Sequence, residues 1–200
     1  MSIETEIKVR LDDAANFLQR LEQLRPQVLS ERHFEDNFVL DYPDRQMGAR
    51  QCLIRVRITG ATALLTFKGP PRPTGLFKTR EELETAVGNG HDLVAILRRM
   101  GMKVWFRYQK YRREFSILAQ PDAADEIHVA LDETPIGIFA EFEGSEAGIR
   151  NVAGKMGFRP SRYLRDSYTA LFVQFCGERG LPIRHMTFRS IRASRAGKAR

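Results

Sequence analysis

The chain has 200 residues, 42% of them hydrophobic and 28% charged, a size and balance that fit a globular domain with a real core. No stretch approaches the roughly 20 apolar residues of a membrane span, and the opening Met1-Ser2-Ile3-Glu4-Thr5-Glu6 has no apolar run of the signal-peptide kind. The net charge of +7 invites a nucleic-acid reading, but six bases and no acid lie between Arg184 and Arg200, so the remainder is nearly neutral.

Taken in order, the pattern predicts a strand at 3–11 and a helix at 12–24, capped by Asp12, with Phe17, Leu18, Leu21 and Leu24 as its apolar stripe. Strands follow at 33–41 and 51–59, separated by the turn Asp41-Tyr42-Pro43-Asp44 and a loop at Gly48. A strand at 62–68 ends at Gly69-Pro70-Pro71, and a loop to Gly75 leads into another at 76–86. A helix is predicted over 91–100, with Leu93, Ile96, Leu97 and Met100 facing inward and Gly101 as cap. Strands at 103–118, 126–133 and 137–143 come next, with Pro121-Asp122 marking the first hairpin turn. Helices at 145–156, ended by Gly157, and 161–176, capped by Ser161, close a domain of residues 1–181. Residues 182–200 read as a basic, flexible tail rich in Arg, Ser, Ala and Gly. Strands outnumber helices and hairpin-length connections dominate, which predicts an α+β antiparallel barrel.

The strands share an unusual feature: one face of each is charged. Glu4, Glu6, Lys8 and Arg10 alternate with Ile3, Ile7, Val9 and Leu11. Arg55 and Arg57 oppose Ile54, Val56 and Ile58, and Lys68 continues the face of Thr66. Lys78, Arg80, Glu82 and Glu84 share a face, as do Lys110, Arg112 and Glu114. Asp132 follows, then Glu141 and Glu143 opposite Ile138, Ala140 and Phe142. Period-two spacing places such groups together. On one strand this would be a solvated face with ion pairs worth about 0.2–1 kcal/mol each. Repeated over so many strands, with helices available to cover the apolar faces, it predicts a barrel whose charged faces line a watery lumen.

Such a lumen has a chemical use. Glu4, Glu6, Asp132, Glu141 and Glu143 offer hard oxygen ligands suited to Mg²⁺ or Mn²⁺. The lysines and arginines suit phosphate oxygens. A polyphosphate needs both, because the metal bridges phosphates while bases neutralise the remaining charge. No Gly-rich phosphate loop, zinc-type Cys/His spacing or Ser/His/Asp constellation competes. His33, His91, His128 and His185 are scattered and are read as structural or surface residues, and Cys52 and Cys176 make no disulfide or metal pattern, so a reduced cytoplasmic setting is expected.

Glu4-Thr5-Glu6-Ile7-Lys8 resembles the Glu-x-Glu-x-Lys signature of the triphosphate tunnel metalloenzymes, the CYTH superfamily. Leu53-Ile54-Arg55-Val56-Arg57, Leu65-Thr66-Phe67-Lys68-Gly69-Pro70, Arg80-Glu81-Glu82-Leu83-Glu84 and Lys110-Tyr111-Arg112 are similar to the family's later strands, in order. Leu131-Asp132-Glu133 with Phe139-Ala140-Glu141-Phe142-Glu143 resembles its acidic hairpin, and Tyr163 to Leu171, with Ser167-Tyr168, its closing helix. The resemblance implies an eight-stranded antiparallel β-barrel forming a tunnel. It makes Glu4, Glu6, Asp132, Glu141 and Glu143 metal-site residues, and Lys8, Arg55, Arg57, Lys68, Lys110 and Arg112 triphosphate binders. Glu4, Glu6 and Lys8 are the residues expected to carry catalysis. Arg80 is a further binder or, with the tunnel-lining Glu82 and Glu84, part of an ion network. Ser167-Tyr168 is expected to pack the closing helix on the barrel, and the looser stretch Asp36 to Asp41 receives no role.

Two reactions fit these groups. One is metal-dependent hydrolysis of inorganic tripolyphosphate, a nucleoside triphosphate such as ATP, or thiamine triphosphate. The other is the class IV adenylyl cyclase reaction, in which the ribose 3′-hydroxyl of ATP attacks the α-phosphorus and pyrophosphate leaves. Hydrolysis ranks first, because cyclisation also needs a pocket orienting adenine and ribose. A non-catalytic polyphosphate or nucleotide sensor is the third reading; the paired carboxylates weigh against it, since without a metal they would repel phosphate. No membrane partner is expected, and specific nucleic-acid recognition is not either, since a basic tail gives salt-sensitive affinity without base readout. A homodimer stays open.

Overall fold

The computed structural model describes residues 2–72, 75–119 and 125–191, so the expected turn at Pro121-Asp122 and the tail beyond 191 lie outside the described residues. Eight strands, β1 (Ser2–Leu11), β2 (Gln27–Asp41), β3 (Leu53–Thr59), β4 (Thr62–Lys68), β5 (Lys78–Val87), β6 (Lys103–Leu118), β7 (Glu126–Thr134) and β8 (Gly137–Glu143), close an antiparallel barrel in the order β1-β5-β4-β3-β2-β6-β7-β8. The expected antiparallel barrel with external helices is therefore the observed fold. No helix among the described residues is long and apolar enough to cross a membrane.

The odd-numbered apolar residues of β1 explain the layering. Ile7, Val9 and Leu11 are buried on the outside of the barrel with Val129, Leu131, Ala140 and Phe142 of β7 and β8. Helices α1 (Ala14–Glu22) and α4 (Glu146–Lys155) cover this face with Phe17, Leu21, Ile149 and Val152. Asp13, rather than Asp12, caps α1, accepting from the Ala15 and Asn16 amides. Ser145 caps α4 through the Gly148 amide. Helix α3 (Gly90–Arg99), capped by Asn89, lays Val94 with Leu93 and Leu97 over β2 to β4. Ile96 and Met100 of the expected stripe face outward instead, 51% and 69% exposed, so only Leu93, Val94 and Leu97 of the helix pack into the apolar cluster on the barrel. A short helix α2 (Gln46–Ala49) fills the predicted Gly48 loop. Strand β2 starts earlier than predicted, at Gln27, since β6 is long enough to pair with it from Ser116 onward.

The largest departures lie near the C-terminus. The predicted helix 161–176 is split. A 3₁₀ turn at Pro160–Arg162 is followed by an extended segment, and helix α5 (Tyr168–Arg179) begins only at its cap Ser167, whose hydroxyl accepts from the Ala170 amide. The split has a backbone reason. β5 pairs with β1 only as far as Glu6, which leaves the β1 edge at Lys8 unpaired, and Leu164 fills it with two hydrogen bonds of 3.1 and 2.7 Å. The same staggering leaves β6 bare before Tyr111, where β7 pairing starts. Met186 occupies that edge, its amide donating to Arg107 O and its carbonyl accepting from Gln109 N. Buried backbone groups need partners, and a staggered barrel creates the vacancies. The expectation of a flexible tail from 182 onward is therefore corrected for its described part. Met186 (0% exposed) and Ile191 (5%) sit in the core with Phe106, Phe172 and Phe175.

Candidate active site

The inner faces of the strands enclose a cavity of about 740 Å³. Glu4, Glu6 and Lys8 of β1, Arg55 and Arg57 of β3, Lys68 of β4, Arg80, Glu82 and Glu84 of β5, Lys110 and Arg112 of β6, and Glu141 and Glu143 of β8 all line it. Alternation along each strand put them there, with the apolar residues between them turned outward to the helices.

Most of these groups are buried and matched. Lys68 Nζ lies 2.5 Å from Glu4 Oε1 and 3.0 Å from Glu82 Oε2, and Arg80 Nε reaches Glu4 Oε2 at 3.4 Å. Lys78 Nζ stands 2.7 Å from Glu6 Oε1, and Lys8 Nζ 2.5 Å from Glu141 Oε1. Arg55 is held by Thr66 Oγ1 at 3.1 Å, with Glu84 3.6 Å away. Burial alone would raise the Glu6 and Glu141 carboxyls, but the cations outweigh it, Lys78 and Lys8 for Glu6, Lys8 and Arg112 for Glu141, and both are held well below the usual range. Burial lowers Lys8, yet Glu141 and Glu6 raise it further, so it stays a cation.

Asp132 departs from expectation. It is fully buried and is not part of the cavity lining. Its oxygens accept from Arg112 Nε and Nη2, both at 2.7 Å, from Lys110 Nζ at 2.9 Å and from the Tyr168 hydroxyl at 2.5 Å. In this arrangement the Asp132 carboxylate positions Lys110 and Arg112 from behind the wall rather than facing the cavity. Glu35 of β2 plays the same part. Buried at 1% exposure, it lies 3.4 Å from Lys110 Nζ and 3.6 Å from Arg57 Nη1. Lys110 is thus gripped between two hidden acids.

Sequence reasoning missed Glu35, Lys78 as a site residue, Tyr108 and the histidine at 128. Lys78 stood on a recognised charged face. Glu35 was masked because its neighbour Asp36 is also acidic; Asp36 points outward and binds Arg107 at 2.5 and 2.8 Å. His128 lines the cavity 3.4 Å from Glu114, and His33 stands 3.7 Å from Glu35, so two of the four histidines adjoin the site. Ser167 and Tyr168 do more than pack α5, since both line the cavity.

Glu143 faces Glu6 in register and has no ion pair among the described residues. Burial and the Glu4 charge raise its carboxyl to about 7. An unneutralised carboxylate beside Glu4 and Glu6 is the chemistry a hard cation relieves. Among the described residues no three such groups are already drawn together as a coordination shell, because Lys68 and Lys78 hold Glu4 and Glu6 aside. The residues fit the ion in kind.

The CYTH domain family matches residues 2–152. A candidate adenylate cyclase of Methanocaldococcus jannaschii is 26% identical over 148 residues, covering 74% of this chain and 79% of that protein. A solved structure of a candidate adenylate cyclase from Vibrio parahaemolyticus superposes with a TM-score of 0.70 at 21% identity, covering 88% of this chain and 98% of its own. A Hippeastrum protein, named for adenylyl cyclase but described as having a dominant triphosphatase activity, gives 0.61 at 17% identity, with 90% and 97% covered. At these identities the two structures speak for the fold.

Proposed function

This chain belongs to the CYTH domain family, whose members act with divalent metal ions, and on that premise we propose that it is a metal-dependent triphosphatase hydrolysing tripolyphosphate or an organic triphosphate inside the barrel. The observation that carries the reading is the convergence of Lys8, Arg55, Arg57, Lys68, Lys110 and Arg112 on one cavity that also holds Glu4, Glu6, Glu141 and Glu143. Phosphate oxygens bring negative charge that the bases receive, and the carboxylates then left without a base are the groups that would hold Mg²⁺ or Mn²⁺.

Glu4, Glu6 and Glu143, with Glu141 beside them, would hold the ion, which supplies Lewis-acid charge at the triphosphate. Arg55, Arg57, Lys110 and Arg112 bind and orient the phosphates, and their cationic charge stabilises oxygens that gain negative charge as water attacks the terminal phosphorus in line. Lys8 and Lys68 stand beside the carboxylates and complete that neutralisation. Asp132 keeps Lys110 and Arg112 from drifting, and Glu35 does the same for Lys110 and Arg57. Precision of that kind follows from ligands borne on strands.

Cyclisation of ATP is the second reading. It is favoured by the name of the archaeal relative, and the cavity volume of about 740 Å³ lies in the range of small-molecule and cofactor sites. A substrate panel with product identification in Mg²⁺ and Mn²⁺ tests both. Orthophosphate from tripolyphosphate is the expected result, whereas cyclic AMP and pyrophosphate from ATP would replace the first reading by the second.

A further inference from the structure

Two tyrosines reach the tunnel, and only one has its proton engaged. Tyr168 donates to Asp132, and burial together with the Asp132 and Glu141 charges raises its pKa, so it remains a neutral donor. Tyr108, two residues before Lys110 on β6, is buried and lines the same cavity. Its oxygen accepts from Arg55 Nη1 at 3.4 Å, and among the described residues no acceptor is hydrogen-bonded to its proton. Arg55 Nε beside it is also buried without a partner. The ring is fixed, stacked on Phe106 at 5.8 Å and 5.8 Å from the ring of Tyr168. Its flanking backbone is tied from outside by Met186. A rigid phenol with an unused donor, next to a guanidinium with another, calls for an acceptor in the tunnel.

We propose that Tyr108 is a substrate-binding residue whose phenol donates a hydrogen bond to a phosphate oxygen of a polyphosphate held between Arg55 and Lys110. The inference rests on the triphosphate reading above and adds a contact which that reading does not contain. A phenol suits the place because it strengthens the grip on an anion without adding a charge that the ligand-free wall would have to neutralise. The charged groups facing it are Arg55 and Arg57 of β3 and Lys110 of β6. Burial raises its pKa, but these three cations outweigh burial and hold the hydroxyl below its ordinary range. The ionised form would repel phosphate, so the contact exists only while the phenol is protonated.

Calorimetric titration of tripolyphosphate in Mg²⁺, with the parent protein and Tyr108→Phe, tests the contact. At neutral pH the variant is expected to bind about tenfold more weakly, the scale of a hydrogen bond to a charged acceptor, at an unchanged melting temperature because the ring still packs. The difference should narrow as the pH is raised, because the parent phenol ionises and phenylalanine does not; titrating lysines are common to both proteins. Equal affinities at neutral pH, or a difference that does not narrow, would overturn the proposal. A parent protein that fails to bind tripolyphosphate would instead overturn the triphosphate reading. If the variant did not fold, tyrosine absorbance of the parent decides. Bound tripolyphosphate must move one tyrosine's ionisation to higher pH, and a superimposable curve refutes the contact.

Discussion

The Tyr168 hydroxyl donates to Asp132 Oδ2 at 2.5 Å, a hydrogen bond that ties the start of helix α5 to the buried acid of the tunnel wall. Asp132 also receives Lys110 and Arg112, both nearly fully buried. Asp132→Ala leaves two buried cations short of their partner and is expected to cost about 3–5 kcal/mol of stability. Tyr168→Phe should cost about 1–3 kcal/mol. Denaturant unfolding measures both. A stable Asp132→Ala protein with an altered metal requirement would make Asp132 a metal ligand rather than a holder of bases.

Glu4 and Glu6 give the opposite expectation. Glutamine in either place keeps a hydrogen-bonding oxygen for Lys68 or Lys78 but removes the charge that serves a cation. Glu4→Gln and Glu6→Gln should abolish turnover while unfolding cooperatively. Normal metal-dependent phosphate release by both would mean that the first strand has another role.

In the ligand-free tunnel acids and bases neutralise one another, as in Lys68 with Glu4 and Glu82, and Lys8 with Glu141. A triphosphate alone strands the acids, and a metal alone strands the bases. Each should therefore strengthen the other's binding by the same factor. Calorimetry with and without Mg²⁺ is expected to show at least tenfold mutual enhancement, about 1.4 kcal/mol of coupling. Independent binding would contradict the charge balance.

Glu35 supplies a pH test. Burial raises its carboxyl, but Lys110, Arg112, His33 and Arg57 outweigh it, and the group lies well below the ordinary value of 4.5. As the pH falls below that value the unfolded chain takes up the proton first, so the stabilisation present at neutral pH is lost toward the lower, folded value. Glu35→Gln should be less stable at pH 7 and show a flatter acid limb. A parallel limb in the two proteins would remove Glu35 from the stabilising network.

Met186 tests the docked C-terminal segment. It is wholly buried and bridges β6 on either side of Tyr108. Met186→Ala is expected to cost about 2–5 kcal/mol, and truncation before it should cost more because the β6 edge also loses its hydrogen bonds. A truncated protein as stable as the parent would mean that the segment is dispensable, as its composition had implied.

Much of this protein is written in its alternation. The period-two charges of Glu4-Thr5-Glu6-Ile7-Lys8, Arg55-Val56-Arg57 and Lys110-Tyr111-Arg112 determine which side chains share the interior, because adjacent residues on a strand cannot point the same way. The helices were legible for a similar reason, a stripe and a cap each, although Ile96 and Met100 show that a stripe can be wider than the surface available to cover it. Where both faces of a strand carry acids, as at Glu35 and Asp36, alternation loses its meaning and the inner residue goes unseen.

Depth and closure were decided only by the tertiary structure. Period two assigns Asp132 to the inner face along with Glu141, yet Asp132 lies behind a wall of Arg112, Lys110 and Tyr168 while Glu141 faces the cavity. That difference depends on neighbours from other strands and from α5, far away in sequence. The segments that seal the barrel, at Leu164 and Met186, answer to backbone edges exposed by strand stagger. A local pattern records the direction of a side chain; it holds no record of which hydrogen-bonding groups three-dimensional closure will leave unpaired.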